Sequence, residues 1–484
     1  MTLLRFLARL GLGGAALASS AFAADYEVNQ TGDSGSGSLR SALALANANP
    51  GADRILIHSA GPIVLSSGPV PVTDSVEILG TGAEPAVLAG NGLGRLLLIE
   101  GDGNEACRVD VRLARLHLRD GYFDGDGGAV HASYARLRVE DSRFSQNRAG
   151  GWGGAIFIDD CELSLVSSQF DSNISYKLGG AVAVSEARLV ARRSRFSGNE
   201  AEFGGAISVH GVTASAELGD SYLYGNRAQY SGGGLLASAT SLHIAGSTFA
   251  DNQATTSDGG ALHLTTPLEG AISVIENTTF NANRAPEDSA SGGAVFLGHG
   301  RLILRNSTVV GNSTGPASGA FTSGGGVFVG GDASRLDLVS SIVAGNTQGP
   351  AATPRDLVRE IDPDLTPATV SARRSLVQAL PDVSTVNGED FENRWQLDPQ
   401  LEPLRDNGGP TPTMALTLGS PACERGENDA GLATDQRGAG FARGYGRTDI
   451  GAYEYRGDTI FYGDFELHDP GEFGCARLPA EQFR

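Results

Sequence analysis

Residues 144–158 read Phe-Ser-Gln-Asn-Arg-Ala-Gly-Gly-Trp-Gly-Gly-Ala-Ile-Phe-Ile, and this pattern recurs through the middle of the chain. Each copy has an apolar residue three positions before an asparagine, then a short gap, then a Gly-Gly pair followed by alternating apolar residues. Successive copies lie 26 or 27 residues apart at first, and the later spacings widen to between 29 and 34. The asparagines are Asn147, Asn173, Asn199, Asn226, Asn252, Asn283, Asn312 and Asn346. A fixed period with strand-like halves predicts a solenoid.

The apolar residues within one copy predict how a coil is built. Ile156 and Ile158 share one face of a strand, and Phe157 lies on the other face. A copy of this length holds two or three short strands and has no room for a full helix as well. We therefore predict an all-β fold whose parallel strands stack about 4.8 Å apart from coil to coil. About ten to twelve coils fit between residues 54 and 350.

The asparagines and glycines of the pattern each have a structural interpretation. Asparagines at the same point of successive coils can hydrogen-bond one another in a ladder, and a buried amide left unpaired would cost about 1–3 kcal/mol. Asparagine also tolerates a left-handed backbone. The Gly-Gly pair is typical of a corner that needs positive φ or a close approach of two backbones.

The N-terminal region predicts export. Residues 1–23 contain two arginines, an apolar run and an Ala-Phe-Ala sequence, as expected of a cleaved signal peptide. No later stretch is apolar enough to cross a membrane. Residues 38–48 have the pattern of a short amphipathic helix, and residues 24–53 are predicted to cap the solenoid, whose end would otherwise be an open edge.

The net charge argues against one class of partner, and the positions of the cysteines indicate which disulfides are possible. The formal net charge is −20, which argues against nucleic acid as a partner. Cys107 and Cys161 lie about two coils apart, which is too far for a disulfide if they occupy similar corners. Cys423 and Cys475 are the better candidates, since export permits disulfides. We expect a monomer.

The repeats resemble those of polymorphic outer membrane proteins. The resemblance rests on Phe144–Asn147 with Gly153-Gly154-Ala155-Ile156, and on the corresponding Phe170–Asn173 and Phe196–Asn199. It covers residues 110–350 approximately and implies a right-handed parallel β-helix of the pectin-lyase-like superfamily. It also implies an exported bacterial protein that is extracellular or held at the outer-membrane surface.

The sequence after the repeats is similar to the choice-of-anchor Q region, which closes many exported bacterial β-helix proteins. The motifs that carry the similarity are Asp406–Thr413, Gly419–Ala422, Thr434–Gly438 and Asp449–Glu454. Cys423-Glu424 stands where such regions usually continue Ile-Asp, so the displaced carboxylate argues against a metal role there. The predicted division is a signal peptide (1–23), a cap (24–53), the β-helix (54–350), the choice-of-anchor Q-like region (351–456) and a tail (457–484).

Two sets of side chains are candidate sites. Pairs of carboxylates lie at two corners, and carboxylate oxygens are the ligands Ca²⁺ prefers, although solvated turn residues of an acidic protein are the favoured explanation. These residues are Asp124, Asp126, Asp159 and Asp160. The outward residues of the first strand include aromatic side chains that could stack on a ligand unless loops cover them. The candidate binding residues are His131, Phe157, His263, Phe296 and Phe328.

The functional prediction follows from what that outward row lacks. It contains no carboxylate, which argues against catalysis on this face. The gap between Asn and Gly-Gly grows along the chain, so loops 284–291 and 313–323 project at one edge, as binding loops of solenoids often do. We predict a non-catalytic, adhesin-like protein that binds a glycan or a surface protein. The alternative is a polysaccharide lyase or glycoside hydrolase, which the resemblance to the pectin-lyase-like superfamily also allows.

Overall fold

The protein is described from a computed structural model that covers residues 24–58, 61–101, 103, 107–266, 270–316, 323–360, 366–380, 385–444 and 447–455. The predicted signal peptide and tail lie outside these residues. Within them the chain forms a parallel β-solenoid of about 12 coils with a short helix near the N-terminus. This confirms the predicted fold class.

Each coil passes through three sheets, which we call A, B and C in chain order. Sheet A receives two strands from most coils, which form a first and a second row. The first row contains Val70–Val72, Leu97–Glu100, Val130–Ser133, Ile156–Asp159, Val182–Ser185, Leu262–Thr265, Val295–His299, Val327–Val329 and Leu357–Arg359. The second row contains Asp25–Val28, Asp53–Ile57, Val76–Gly80, Val109–Ala114, Ala135–Glu140, Glu162–Val166, Arg188–Arg192, Ile272–Glu276, Arg301–Arg305, Arg335–Val339, Thr369–Arg373 and Asp390–Phe391. Two long strands, Ile207–Gly219 and Leu235–Ala245, run through both rows.

Sheets B and C complete the coil. Sheet B contains Ile63–Val64, Ala86–Ala89, Leu116–Arg119, Arg143–Ser145, Gln169–Asp171, Arg195–Ser197, Tyr222–Tyr224, Thr248–Ala250, Thr279–Asn281, Thr308–Val310, Ile342–Ala344, Leu376–Val377 and Arg394–Trp395. Sheet C contains Tyr122–Phe123, Arg148–Ala149, Ile174–Ser175, Glu200–Ala201, Arg227–Ala228, Gln253–Ala254, Arg284–Ala285, Ser313–Thr314, Thr347–Gln348 and Thr353–Pro354. The last strand of sheet C pairs antiparallel, and the strand pairs of sheets A and B are parallel.

The register aligns equivalent residues of successive coils. Ile156 pairs with Val182, which pairs with Ile207, and all three are fully buried. In sheet B, Phe144, Phe170 and Phe196 stack with ring centroids 5.0 and 4.9 Å apart. The core is therefore a set of apolar columns along the axis, because a repeated sequence places the same side chain at the same point of every coil.

A helix closes the N-terminal end of these columns. It spans Leu39–Ala48, and the hydroxyl of Ser38 accepts a hydrogen bond from the backbone N–H of Ser41 as its N-cap. Leu39, Leu43 and two alanines on one face are buried against the first coils. The strand Asp25–Val28 precedes the helix and pairs with Asp53–Ile57, so the region before the helix already belongs to sheet A.

The eight repeat asparagines are buried and form a continuous ladder. The side-chain amide of each of the first seven donates to the Oδ1 atom of the asparagine one coil later, at 2.8–3.0 Å. It also donates to a backbone carbonyl of the preceding coil, as Asn173 does to Phe144 at 3.1 Å. Asp356 ends the ladder by accepting from the amide of Asn346 at 2.8 Å, and burial raises the pKa of Asp356 to about 6.

The left-handed residue of this corner is the one before each asparagine. Gln146, Ser172 and Asp251 have φ of 56°, 54° and 53°, whereas the asparagines that follow them do not have positive φ. The interpretation of asparagine as the left-handed residue was therefore wrong. The asparagine is needed for its amide, because the turn aims that side chain into the core, where only another polar group of the ladder can satisfy it.

The two glycines of each Gly-Gly pair serve different purposes. Gly179 has φ of +66°, a conformation that L side chains rarely adopt. Gly180 lies so close to the next coil that a Cβ atom would be 2.1 Å from the carbonyl oxygen of Gly205. Both reasons considered for the pair therefore apply, one to each glycine.

The solenoid extends beyond its predicted end at residue 350. Strands Leu357–Arg359, Thr369–Arg373 and Arg394–Trp395 continue sheets A and B in parallel register. The Phe-x-x-Asn and Gly-Gly signals fade there, although the apolar alternation of Val370 and Ala372 persists and both side chains are buried. The chain then turns back as a C-terminal segment, residues 397–444 and 447–455, which packs on the outer face of sheet B between Thr248 and Ile342.

The disulfide prediction for the repeats was wrong, because Cys107 and Cys161 are bonded to each other with Cα atoms 5.9 Å apart. The prediction placed both cysteines at equivalent corners. Cys161 directly precedes the strand Glu162–Val166. Cys107 belongs to the connection 101–108 between the two sheet A strands of its coil. The same connection in the coil between the two cysteines consists of Tyr134 alone, so the connection that carries Cys107 is much longer. The distance between Cys107 and Cys161 is therefore not fixed by the spacing between strands. Cys423 is buried and disulfide-bonded, while Cys475 lies outside the described residues, so their pairing remains a prediction.

Candidate binding groove on sheet C

The predicted binding residues lie on the outer face of the first row of sheet A and are mostly covered by one another. Phe296 stacks between His263 and Phe328, with ring centroids 4.7 and 5.5 Å away. Phe157 contacts His131 edge-on at 5.1 Å. Phe157 and Phe328 are only 7% and 8% exposed, so they do not present rings to a ligand. This face is closed by aromatic stacking between coils as well as by neighbouring side chains such as Trp152.

The histidines of this row are correspondingly neutral. Burial lowers the pKa of His263 to about 4, and burial together with the nearby Arg95 guanidinium lowers the pKa of His131. His131 and His263 are separated by five coils along the first row. They consequently act as packing groups in two separate aromatic stacks.

The carboxylates predicted to bind calcium lie at opposite ends of the first-row strands. Asp124 and Asp126 precede the strand Val130–Ser133, and Asp126 accepts a hydrogen bond from the backbone N–H of Trp152 at 2.7 Å. Asp159 ends the strand Ile156–Asp159, and Asp160 forms the next corner with φ of 63°. The structure does not bring the four together. In the part of the chain that the structure describes, no three His, Cys, Asp or Glu side chains are grouped closely enough to hold a metal ion.

The two predicted recognition loops lie beside sheet C. In loop 284–291, the backbone N–H of Ser289 donates to the carbonyl of Pro316 at 3.0 Å, so this loop stacks on the start of loop 313–323. Glu287 and Asp288 are exposed at its tip. Residues 317–322 of the second loop lie outside the described residues.

A groove crosses sheet C nearer the N-terminus. Its volume is about 680 Å³, within the usual range for small-ligand sites. Tyr122 and Tyr176 are 36% and 52% exposed, and Arg148 lies one coil from Tyr122 on the same outward column. The lining residues are Asn91, Gly92, Asp120, Gly121, Tyr122, Gln146, Arg148 and Tyr176.

Backbone geometry fixes the walls of this groove. Asn91, Asp120 and Gln146 have φ of 49°, 55° and 56°, which turns the chain sharply between sheets B and C in three consecutive coils. Gly92 and Arg148 donate backbone hydrogen bonds to Asp120 and Gly121 at 2.7 and 2.8 Å. The polar side chains thus project from rigid corners, which is the kind of support that precise recognition requires.

The groove combines apolar rings with groups that bind hydroxyls. Asp120 forms an ion pair with Arg119 at 2.6 Å, and this pairing holds its carboxylate at the rim. Next to the groove, the Arg95 guanidinium lies 3.8 Å from the centre of the Phe123 ring. Tyrosine rings flanked by an amide, a carboxylate and a guanidinium can stack on an apolar ligand face while hydrogen-bonding its edge.

The sequence analysis missed this groove because it considered the outward residues of the strand after Gly-Gly and not those of the strand after the asparagine. Tyr122 and Arg148 occupy the position directly after the Asn corner, in copies where that residue points outward. Reading the residue after each asparagine as a column of its own would have shown Arg148, Ile174 and Glu200 on one face, and Tyr122 occupies the equivalent position after Gly121.

Three acids and two arginines converge elsewhere, in the C-terminal segment. Arg437 forms a bidentate ion pair with Asp435, and Arg443 contacts Glu454 at 3.2 Å. Asp449 accepts from the backbone N–H of Glu424. All five side chains are almost completely buried against sheet B, and Gln436 between them donates to Thr248 at 2.7 Å. This cluster is closed to a polysaccharide, and it fastens the segment to the solenoid.

Comparison with known proteins supports the fold. Residues 130–346 match the family model described as the right handed beta helix region, so the solenoid is a right-handed parallel β-helix. No curated protein matches the chain. Among solved structures, tailspike protein 3 of bacteriophage CBA120 is similar, with 12% identity and a TM-score of 0.30. That alignment covers 71% of this chain and 59% of the tailspike chain.

Proposed function

We propose that the protein is an exported, non-catalytic β-helix that binds a glycan through the groove on sheet C. The observation that carries this proposal is the pair of exposed tyrosines, Tyr122 and Tyr176, on either side of Arg148 in a groove with polar walls. Sugars have apolar faces and hydroxyl-rich edges, and this lining offers a partner for each.

The cellular setting of the proposal rests on the sequence. The signal-peptide pattern and the resemblances to polymorphic outer membrane protein repeats and to the choice-of-anchor Q region favour an extracellular or surface-bound protein. The described residues contain no helix long and apolar enough to cross a membrane. An adhesin-like role at the surface, with a glycan or a glycan-bearing surface protein as partner, is consistent with both.

The enzymatic alternative finds less support in this groove. Glycoside hydrolases use a pair of carboxyl groups on opposite sides of the scissile bond. Among the groove-lining residues only Asp120 carries a carboxylate, and it is paired with Arg119. We therefore favour binding without turnover.

The proposal is tested by titrating the mature chain with neutral and acidic oligosaccharides. We expect saturable binding that Tyr122→Ala and Tyr176→Ala each weaken about two- to tenfold, because a stacked aromatic ring contributes about 0.5–1.5 kcal/mol. Leu418→Ala is the matched control, since Leu418 is similarly exposed, at 53%, but lies on the C-terminal segment.

Two results would count against the proposal. Binding by the tyrosine variants that equals the wild type would place the site elsewhere. Chromatography would detect shortened saccharides and absorbance would detect unsaturated ones. Release of either product would favour the enzymatic alternative.

A further inference from the structure

A second pocket, remote in sequence from the sheet C groove, lies where the C-terminal segment meets the last coil. Its volume is about 320 Å³. The last two coils contribute the corner residue Arg374, the corner residues 392–393 and Arg394 at the start of its sheet B strand, and the C-terminal segment contributes the remaining wall. The lining residues are Arg374, Glu392, Asn393, Arg394, Arg425, Gly426 and Arg447.

The lining is rich in cations although the protein is strongly acidic. Four of its seven residues are arginines and one is a carboxylate, in a chain with formal net charge −20. The overall negative charge of the protein repels anions, whereas this concentration of guanidinium groups would attract them locally. Arginine presents a planar set of donors that matches carboxylate, sulfate and phosphate groups.

Acidic side chains beside the pocket pair with some of its arginines. Glu392 pairs with Arg374 at 2.9 Å. Glu427 and Asp429 pair with Arg373, which lies outside the lining, at 2.6 and 2.9 Å, and the second oxygen of Glu427 lies 3.9 Å from Arg374. Glu424 lies near Arg447, and burial raises the pKa of this carboxyl, which disfavours its charged form. Among the lining residues themselves, four guanidinium groups lie beside the one carboxylate, that of Glu392.

The backbone holds the pocket open and makes it depend on the packed C-terminal segment. Arg394 donates its backbone N–H to Ser375 at 2.8 Å, which fixes the last coil. Gly426 donates to Thr448 at 2.7 Å, and a Cβ atom at Gly426 would lie 2.6 Å from the carbonyl oxygen of Asp449. Arg425 and Arg447 are thus presented by two backbones in close contact.

We propose that this pocket binds a compact oxyanion, namely a carboxylate, sulfate or phosphate group, supplied either by a free ion or by an acidic saccharide. The site is independent of the sheet C groove. It would give the protein a preference for anionic ligands at its C-terminal end.

Titration calorimetry at constant ionic strength tests this proposal with three probes: inorganic sulfate, inorganic phosphate and a trimer of galacturonic acid. We expect at least one probe to bind saturably. The double variant Arg394→Gln/Arg447→Gln should weaken that binding about tenfold or more, because hydrogen bonds to charged groups are among the strongest. A trimer that binds tenfold tighter than either ion identifies a saccharide ligand, and comparable affinities identify a free ion.

Three further variants make the test specific. Arg136→Gln removes an exposed arginine that pairs with Asp110 on sheet A and should change nothing. Glu392→Gln removes the one carboxylate of the lining and should tighten binding, even if the double variant folds poorly. Tyr176→Ala should leave the binding of inorganic sulfate and phosphate unchanged, and the trimer is titrated in this variant as well, so that binding at the sheet C groove is separated from binding at the pocket. Absence of saturable binding by every probe, or equal affinity of wild type and both pocket variants, overturns the proposal.

Discussion

At the scale of single residues, the repeat asparagines can be buried because each one finds a hydrogen-bond partner in the next coil. Asn226 shows the arrangement: its Oδ1 atom accepts from the backbone N–H and the side-chain amide of Asn199, and its amide donates to Phe196 and Asn252. A second ladder runs along the corner between sheets A and B. There a hydroxyl accepts the backbone N–H of the previous coil, as Ser194 does from Ser168 at 3.3 Å.

The asparagine ladder makes a strong prediction for Asn226→Ala. The substitution removes the acceptor for two donors of Asn199 and the donor to the carbonyl of Phe196, all in a dry interior. We expect a loss of about 3 kcal/mol or more in the free energy of unfolding, because each unpaired buried group costs about 1–3 kcal/mol. Urea unfolding followed by circular dichroism measures this loss.

The control for that experiment is Arg227→Ala, one residue further along. Arg227 is exposed and donates to Thr255 at the surface, so its removal should cost about 0.5 kcal/mol or less. Equal unfolding midpoints for the two variants would contradict the proposed role of the ladder.

At the scale of elements, the C-terminal segment covers sheet B through a buried ionic cluster. Asp435, Asp449 and Glu454 lie against Arg437 and Arg443, and the carboxyl of Glu424 adds to the negative charge beside Asp449 and Glu454. Burial, together with the charge of Asp449, raises the pKa of Glu454 to about 8. One carboxyl of the cluster therefore keeps its proton at neutral pH.

This raised pKa predicts that stability falls with rising pH. Below the ordinary value of 4.5, Glu454 is protonated in both folded and unfolded chains and contributes nothing. Between 4.5 and about 8 the unfolded chain releases the proton and the folded chain keeps it, so the free energy of unfolding decreases across that window. We expect a lower thermal midpoint at pH 8.5 than at pH 5.5, and a smaller drop in Glu454→Gln.

Glu162→Gln serves as the comparison for the pH experiment. Glu162 pairs with Arg188 on the exposed outer face of sheet A, so this variant should follow the wild-type pH profile. A Glu454→Gln profile that is as steep as the wild type would mean that another group causes the pH dependence.

At the scale of the whole molecule, the features that recur in every coil could be predicted from the sequence, and the contacts that occur only once could not. Counterparts of Phe144, Asn147 and Gly153 recur in the same order in every copy, so the sequence alone predicts their columns and the solenoid. The packing of Gln436 on Thr248 joins residues 188 positions apart and has no periodic signal. The disulfide of Cys107 also has no periodic signal, because Cys107 lies in a connection whose length differs from that of the other coils.

The candidate sites show the same division. The sequence correctly separates the outward side chains of a strand from the inward ones, but it cannot show that the outward rings of Phe296 and Phe328 stack and cover each other. The groove on sheet C was missed because residues of four successive coils form it together. No single copy of the repeat contains it.

The most direct test of the account is a crystal structure of the mature chain with the tightest-binding oligosaccharide. We predict that the sugar lies across sheet C, with one face against the ring of Tyr122 or Tyr176 and its hydroxyls near Arg148 and Gln146. A sugar bound on the outer face of sheet A beside Phe296, or only at loop 284–291, would contradict the assignment of the groove as the binding site.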